Sequence, residues 1–201
     1  MHNERHGASV TSLMRRLLAG MSLAWMLAAS AGLTGCAVPL QGGTAPMLRL
    51  TPSSLGREIT VVQRLDVQAA GRTHSMEVAL EADETSVRMA VMQLGQTVAR
   101  LEWDGRQLSQ SLAPGWPAAV SAERVLSDLQ LVWWPATAVS AALPPGWRLE
   151  ETAHGRVLRH EEHIVTVVRE VTAGQIELTQ RAEGYTVQVY SQGASPVFAT
   201  P

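Results

Sequence analysis

The chain has 201 residues, a formal charge of −2 and a single cysteine, Cys36. That near-neutral charge excludes the basic footprint of a nucleic-acid binder, and one cysteine excludes both an internal disulfide and a cysteine-based zinc or redox site. From Cys36 onward 166 residues remain, with 13 Arg, no Lys and 17 Asp plus Glu, enough for one domain that must be held by its own core.

The first 35 residues read as an export signal. Arg15 and Arg16 precede an uncharged apolar run, Leu17 to Gly32, and Leu33-Thr34-Gly35-Cys36 then forms a lipobox. The positive charge holds the start on the cytoplasmic side while the apolar run enters the membrane. Thr34 and Gly35 are small enough to let a peptidase approach, and the Cys36 thiol is the nucleophile that takes a diacylglycerol thioether. Cys36 is therefore the expected lipid attachment site of a mature lipoprotein. A transmembrane helix competes with this reading, but the run is short for a span of about 20 residues. The segment before Arg15 is long and mixed in charge, which makes Met14 the expected start. Ala37, standing where an inner-membrane retention signal would place Asp, directs the anchor to the outer membrane and the domain to its periplasmic face.

Residues 36–52 hold three prolines and Gly42-Gly43 and read as a flexible tether. The domain is expected over residues 53–192, with a loose tail at 193–201. From Ile59 the period becomes two: Ile59, Val61, Leu65, Val67 and Ala69 share a parity, interrupted by Gln63. Gly71-Arg72 turns the chain into Met76, Val78, Leu80 and Ala82. Val87, Met89 and Val91 follow Asp83-Glu84, and Met92 falls on the face opposite Met89. Thr97, Ala99, Leu101 and Trp103 follow Gly95-Gln96. Asp104-Gly105 is a hairpin signal leading to Leu108, Gln110 and Leu112. This predicts an antiparallel meander with one apolar and one wet face.

A helix is predicted next. Ser121 caps it, Glu123 favours its first turn, and Val125, Leu126, Leu129, Val132 and Trp133 form an apolar stripe that Pro135 ends. Trp133 is expected in the core and Trp134 at the surface. Ala136 to Leu143 suggests a second short helix. Strands then resume around Trp147 and Leu149, Val157, Ile164 to Val171, Ile176 and Leu178, and Tyr185, Val187 and Val189.

About ten strands and one or two helices make an α+β, mostly β chain. A sheet with one apolar face must cover it, and an incomplete antiparallel barrel lidded by the helix does so. If that space is a cavity, its expected lining is Met89, Val91, Leu101 and Trp103 from the strands and Leu129 and Trp133 from the helix, a soft surface suited to acyl chains. A fully packed core is the alternative.

No catalytic constellation is present in the sequence. Gly-x-Ser-x-Gly and a phosphate-binding glycine loop are missing. His160-Glu161-Glu162-His163 departs from the zinc-binding His-Glu-x-x-His pattern; a strand would set its two histidines on opposite sides, and a polar hairpin edge explains it better. Glu150-Glu151 and Glu161-Glu162 read as solvated strand ends. No metal, cofactor or enzyme activity is expected.

Three segments carry a resemblance. Gln93-Leu94-Gly95-Gln96 through Leu101-Glu102-Trp103-Asp104-Gly105 is similar to a strand pair, Glu123 to Pro135 (ERVLSDLQLVWWP) to a helix ending in a Leu-Gln-rich Trp-Pro motif, and Gly184 to Val189 to a closing strand. Together they resemble the LolB-like lipoproteins often encoded with aryl-polyene biosynthesis genes. In this sequence Trp103 takes the place of the usual Tyr, and Gln180 the place of a common Asn. The resemblance implies a LolA/LolB-like half-barrel that binds or transfers a lipid or acylated small molecule, with biosynthetic or lipoprotein-sorting proteins as partners. A membrane-tethered scaffold with a solid core is the alternative.

Overall fold

The computed structural model describes residues 43–114, 116, 120–193, 196 and 198. The expected signal, Cys36, residues 36–42 of the expected tether and most of the tail beyond 193 lie outside the described residues.

Ten strands form one antiparallel sheet: β1 (Ile59–Ala69), β2 (Arg72–Ala82), β3 (Val87–Gln93), β4 (Gln96–Trp103), β5 (Leu108–Leu112), β6 (Trp147–Thr152), β7 (Gly155–His160), β8 (His163–Thr172), β9 (Gln175–Gln180) and β10 (Tyr185–Ser191). Two helices, α1 (Ala122–Trp133) and α2 (Ala136–Ala142), connect β5 to β6. The order across the sheet is β5-β4-β3-β2-β1-β10-β9-β8-β7-β6. The meander and the second strand set thus join where β1 pairs with β10, as in Leu65 opposite Val189. β5 and β6 remain as edges, so the sheet is an incomplete barrel with the helices as its cover.

Period-two patterning sets which face is buried. Ile59, Val61 and Gln63 are buried in β1 while Thr60, Val62 and Arg64 are exposed. Ile176, Leu178 and Gln180 are the buried set of β9. Gln63, a polar residue within the apolar parity, is buried with it, because its amide donates to the Ser191 hydroxyl at 2.5 Å; a buried amide is tolerated once it has a partner. Gly155 is demanded by packing, since a Cβ there would lie 2.1 Å from the Val168 carbonyl oxygen.

The strand directions sort the turns onto two rims. The first rim holds the β1–β2, β3–β4, β7–β8 and β9–β10 turns and the start of α1. The second holds the turns after β2, β4, β6 and β8.

Two boundaries differ from the sequence reading. The expected tether ends earlier: Ala45, Leu48 and Leu50 are buried in the core, and a short 3-10 turn, Pro52–Leu55, follows them. In the expected loose tail, Phe198 packs against the core and under the Arg156 guanidinium, 5.3 Å from its ring centre.

Candidate functional site: the helix-covered face

Helix α1 begins as its sequence suggests, with the Ser121 hydroxyl accepting from the Arg124 amide at 3.1 Å, which satisfies one otherwise open donor. Its apolar side meets the concave face of the sheet. The six expected lining residues are largely buried there, but they do not line one common space. Met89, Val91 and Leu101 belong to one cluster with Val78, Ala99 and Ala122. Trp103 and Trp133 belong to another with Leu80, Val87, Leu126 and Leu131. Leu129, half-buried, packs against both. The sequence periodicity points all six inward. It could not reveal that Leu129 stands between two packed groups.

A seam remains along the first cluster. Leu65, Met76, Val98, Trp116 and Val125 are partly buried against it, on the half of the sheet nearer the first rim. Leu112, opposite Ala99 on the edge strand, is 38 % exposed. A depression of about 430 Å³ lies elsewhere, over β2 to β5. Its walls include Glu81, Arg88, Arg100 and Glu102 from the wet face, and Met89 and Leu101 touch it from beneath.

The other side of α1 is polar, and it too is buried. Four side chains hold the backbone of residues 45–51, a strap running parallel to the helix. Arg124 donates to the Ala45 carbonyl at 2.7 Å. The Ser127 hydroxyl accepts from the Leu48 amide at 3.0 Å and donates to the Pro46 carbonyl at 3.2 Å. Gln130 grips both polar groups of Leu50, accepting from its amide at 2.9 Å and donating to its carbonyl at 3.0 Å. The Trp134 indole donates to the Thr51 carbonyl and the Ser54 hydroxyl. Trp134 is fully buried, contrary to the expected surface position, because the strap supplies a partner for its N–H. Trp103 also donates to the Leu50 carbonyl, at 2.7 Å.

At the other end of α1, Arg156 from β7 closes the helix. Its guanidinium donates to the Leu131 and Trp134 carbonyls at 2.9 and 2.6 Å and pairs with Glu151 at 2.9 Å. A buried cation here satisfies the helix's last carbonyls and meets the negative end of its dipole.

Between helix and sheet lies a polar group that the sequence reading did not identify. Asp128 accepts from the Tyr185 hydroxyl and from the Gln180 amide, the latter at 2.6 Å. Gln180 in turn accepts from the Thr166 hydroxyl at 2.7 Å. Arg124 stands 3.9 Å from Asp128 and pairs with Glu183 at 2.7 Å. Burial pushes the Asp128 carboxyl up to about 6, against the pull of Tyr185, Arg124 and Gln180. Burial and the adjacent carboxylate likewise raise the Tyr185 phenol. Nε and Nη1 of Arg124 are buried without a hydrogen-bond partner. Glu183 and Gln180 lie more than fifty residues from Asp128 in the sequence, so no local pattern links them to it.

His160 and His163 pair directly across the β7–β8 hairpin. They lie on the same side of the sheet, not on opposite sides, because a two-residue turn replaces the continuous strand. His160 stacks on Trp147 with ring centres 4.6 Å apart. Among the described residues no group of three or more His, Cys, Asp or Glu is placed to hold a metal ion, and no helix is long and apolar enough to cross a membrane.

An open ten-stranded sheet, covered on its apolar side by a helix that is itself strapped down, defines a lidded half-barrel. Residues 60–193 match the family described as a protein of unknown function, DUF3261, and the chain belongs to that family. No curated protein matches it.

Proposed function

We propose that this chain is a lipoprotein anchored through Cys36 to the periplasmic face of the outer membrane, where it binds or transfers a lipid or acylated product. Aryl-polyene lipid biosynthesis or export is the setting suggested by the resemblance to LolB-like proteins. The observation that carries the ligand reading is the seam. Leu65, Met76, Val98, Trp116 and Val125 are apolar, half-buried and continuous with the core beneath α1. Such a surface suits an acyl chain, which needs apolar contact and few polar partners. Met76 and Met89 add adaptable side chains. The role is binding rather than catalysis.

The test is a soluble form beginning at Ala37, purified without detergent and extracted for mass spectrometry. Lipid in stoichiometric amount supports the reading, and protein free of acyl compounds argues against it. One observation favours a second reading, a membrane-tethered scaffold for biosynthetic enzymes: Trp103 and Trp133 are 2 % and 4 % exposed and fill part of the expected cavity. Co-purification of enzymes with a lipid-free protein would favour the scaffold.

A further inference from the structure

We infer that strand β5 is a docking edge for a second copy of this chain, the two β5 strands pairing antiparallel about a two-fold axis at Gln110. The pairing requires neither the lipid nor the anchor. Among the described residues β5 pairs with β4 and has no partner strand on its other side. An open edge offers a row of unpaired backbone donors and acceptors, and such edges are usually guarded by charge, proline or a cover. The opposite edge, β6, has a guard: it carries Arg148, Glu150 and Glu151, and Arg148 pairs with Glu150 at 3.1 Å. β5, Leu108-Ser109-Gln110-Ser111-Leu112, carries neither charge nor proline. Ser109, Gln110, Ser111 and Leu112 are exposed, so the strand stands open to a partner.

The sequence of β5 reads the same in both directions. Antiparallel pairing about Gln110 therefore sets Leu108 opposite Leu112, Ser109 opposite Ser111, and Gln110 opposite its own copy, as a two-fold contact requires. Leu108 and Leu112 share the inner side with their β4 neighbours, Trp103 and Ala99. Leu108 already packs against both clusters. Leu112, 38 % exposed in the single copy, meets an apolar partner in the pair.

Charge on the wet side sets the register. Arg100 stands opposite Ser111 and Glu102 opposite Ser109, and both charged residues are exposed. With the axis at Gln110, Ser111 meets Ser109 of the second copy. Each row then runs from Arg100 over two short serines to Glu102 of the second copy. The ends of such a row are three strand spacings apart, about 14 Å, so the attraction is modest. A slip of two residues keeps every side chain on its face but reverses the sign. It turns Arg100 toward Arg100 through paired Ser111, or Glu102 toward Glu102 through paired Ser109. A five-residue pair buries little against the roughly 1,600 Å² of a standard interface, so the dimer is weak and depends on concentration.

The test is disulfide trapping in cells that make the full chain. Gln110→Cys should yield a species of twice the chain mass, because opposite Cβ atoms lie about 5 Å apart, close to the spacing of a disulfide. Ser109→Cys and Ser111→Cys should each link about tenfold less alone than when co-expressed, since each thiol alone faces a serine and lies about 7 to 8 Å from its own copy. Glu150→Cys on β6 is the control and should not link. Peptide mapping separates a bond between introduced thiols from one through Cys36. Without oxidation, the purified wild-type chain should sediment as a monomer–dimer equilibrium. Gln110→Lys, which sets like charges at the axis, should weaken that equilibrium about tenfold. Four results would overturn the pairing: a wild type that stays monomeric, a Gln110→Cys chain that links to a different protein or to nothing, equal linking at Glu150→Cys, or equal linking of the two serine variants alone and together.

Discussion

Asp128 carries a carboxyl that is harder to ionise inside the fold than outside it. Its value rises from 3.8 to about 6, chiefly through desolvation. The sign follows from linkage: a folded-state value above the unfolded one means that the folded chain holds the proton more tightly. The group's stabilising contribution is complete below pH 4 and is lost as pH rises through 6. Two pH units correspond to about 3 kcal/mol. Asp128→Asn removes the titration, so denaturant melts of the two proteins should diverge between pH 4.5 and 7.5, the wild type losing about 1 to 3 kcal/mol relative to the variant. Parallel curves would refute the assignment. Arg156 permits a second prediction at this scale. Methionine there retains most of the stem but leaves Glu151 and the helix's last carbonyls without their donor. Arg156→Met should cost about 3 kcal/mol in a urea melt, whereas exposed Arg72→Met should cost under about 0.5 kcal/mol.

Helix α1 is buried on two sides, one by the sheet and one by the strap. The apolar side was legible in the sequence, because Leu126, Val132 and Trp133 recur at helical spacing. The strap was not. Its buried residues, Ala45, Leu48 and Leu50, stand among prolines and glycines in a stretch with the composition of a linker. Arg124, Ser127 and Gln130 resemble solvent-facing helix residues, and their partners are backbone groups some eighty positions earlier, which carry no side-chain signal. Trp134 was misplaced for the same reason. The strap makes its own prediction. Gln130→Ala leaves the Leu50 amide without its partner and should destabilise the fold by about 1 to 3 kcal/mol. Amides of residues 48–50 should then exchange faster than those of β9, as mass-resolved hydrogen exchange would record. Unchanged exchange there would mean that the strap is held by Leu48 and Leu50 packing alone.

For the whole molecule, strand parity was enough to foresee a one-faced antiparallel sheet under a helix, because burial on one face imposes period two on every strand. Sheet order was harder to read, since the pairing of β1 with β10 joins residues more than a hundred positions apart. The division of the interior into two clusters cuts across β2, β3 and β4, each of which contributes to both, and so depends on packing that strand parity does not encode. Among the described residues of the lidded half-barrel, the seam beside Val125 is an apolar surface that is neither sealed nor fully wet. The central functional claim is that this seam takes an acyl chain. A benzophenone amino acid placed at Val125 in the full chain, irradiated in cells, tests it most directly, with Val62 on the wet face as control. A lipid-mass adduct at Val125 and none at Val62 is the expected result. Adducts at both positions alike, or at neither, would contradict it.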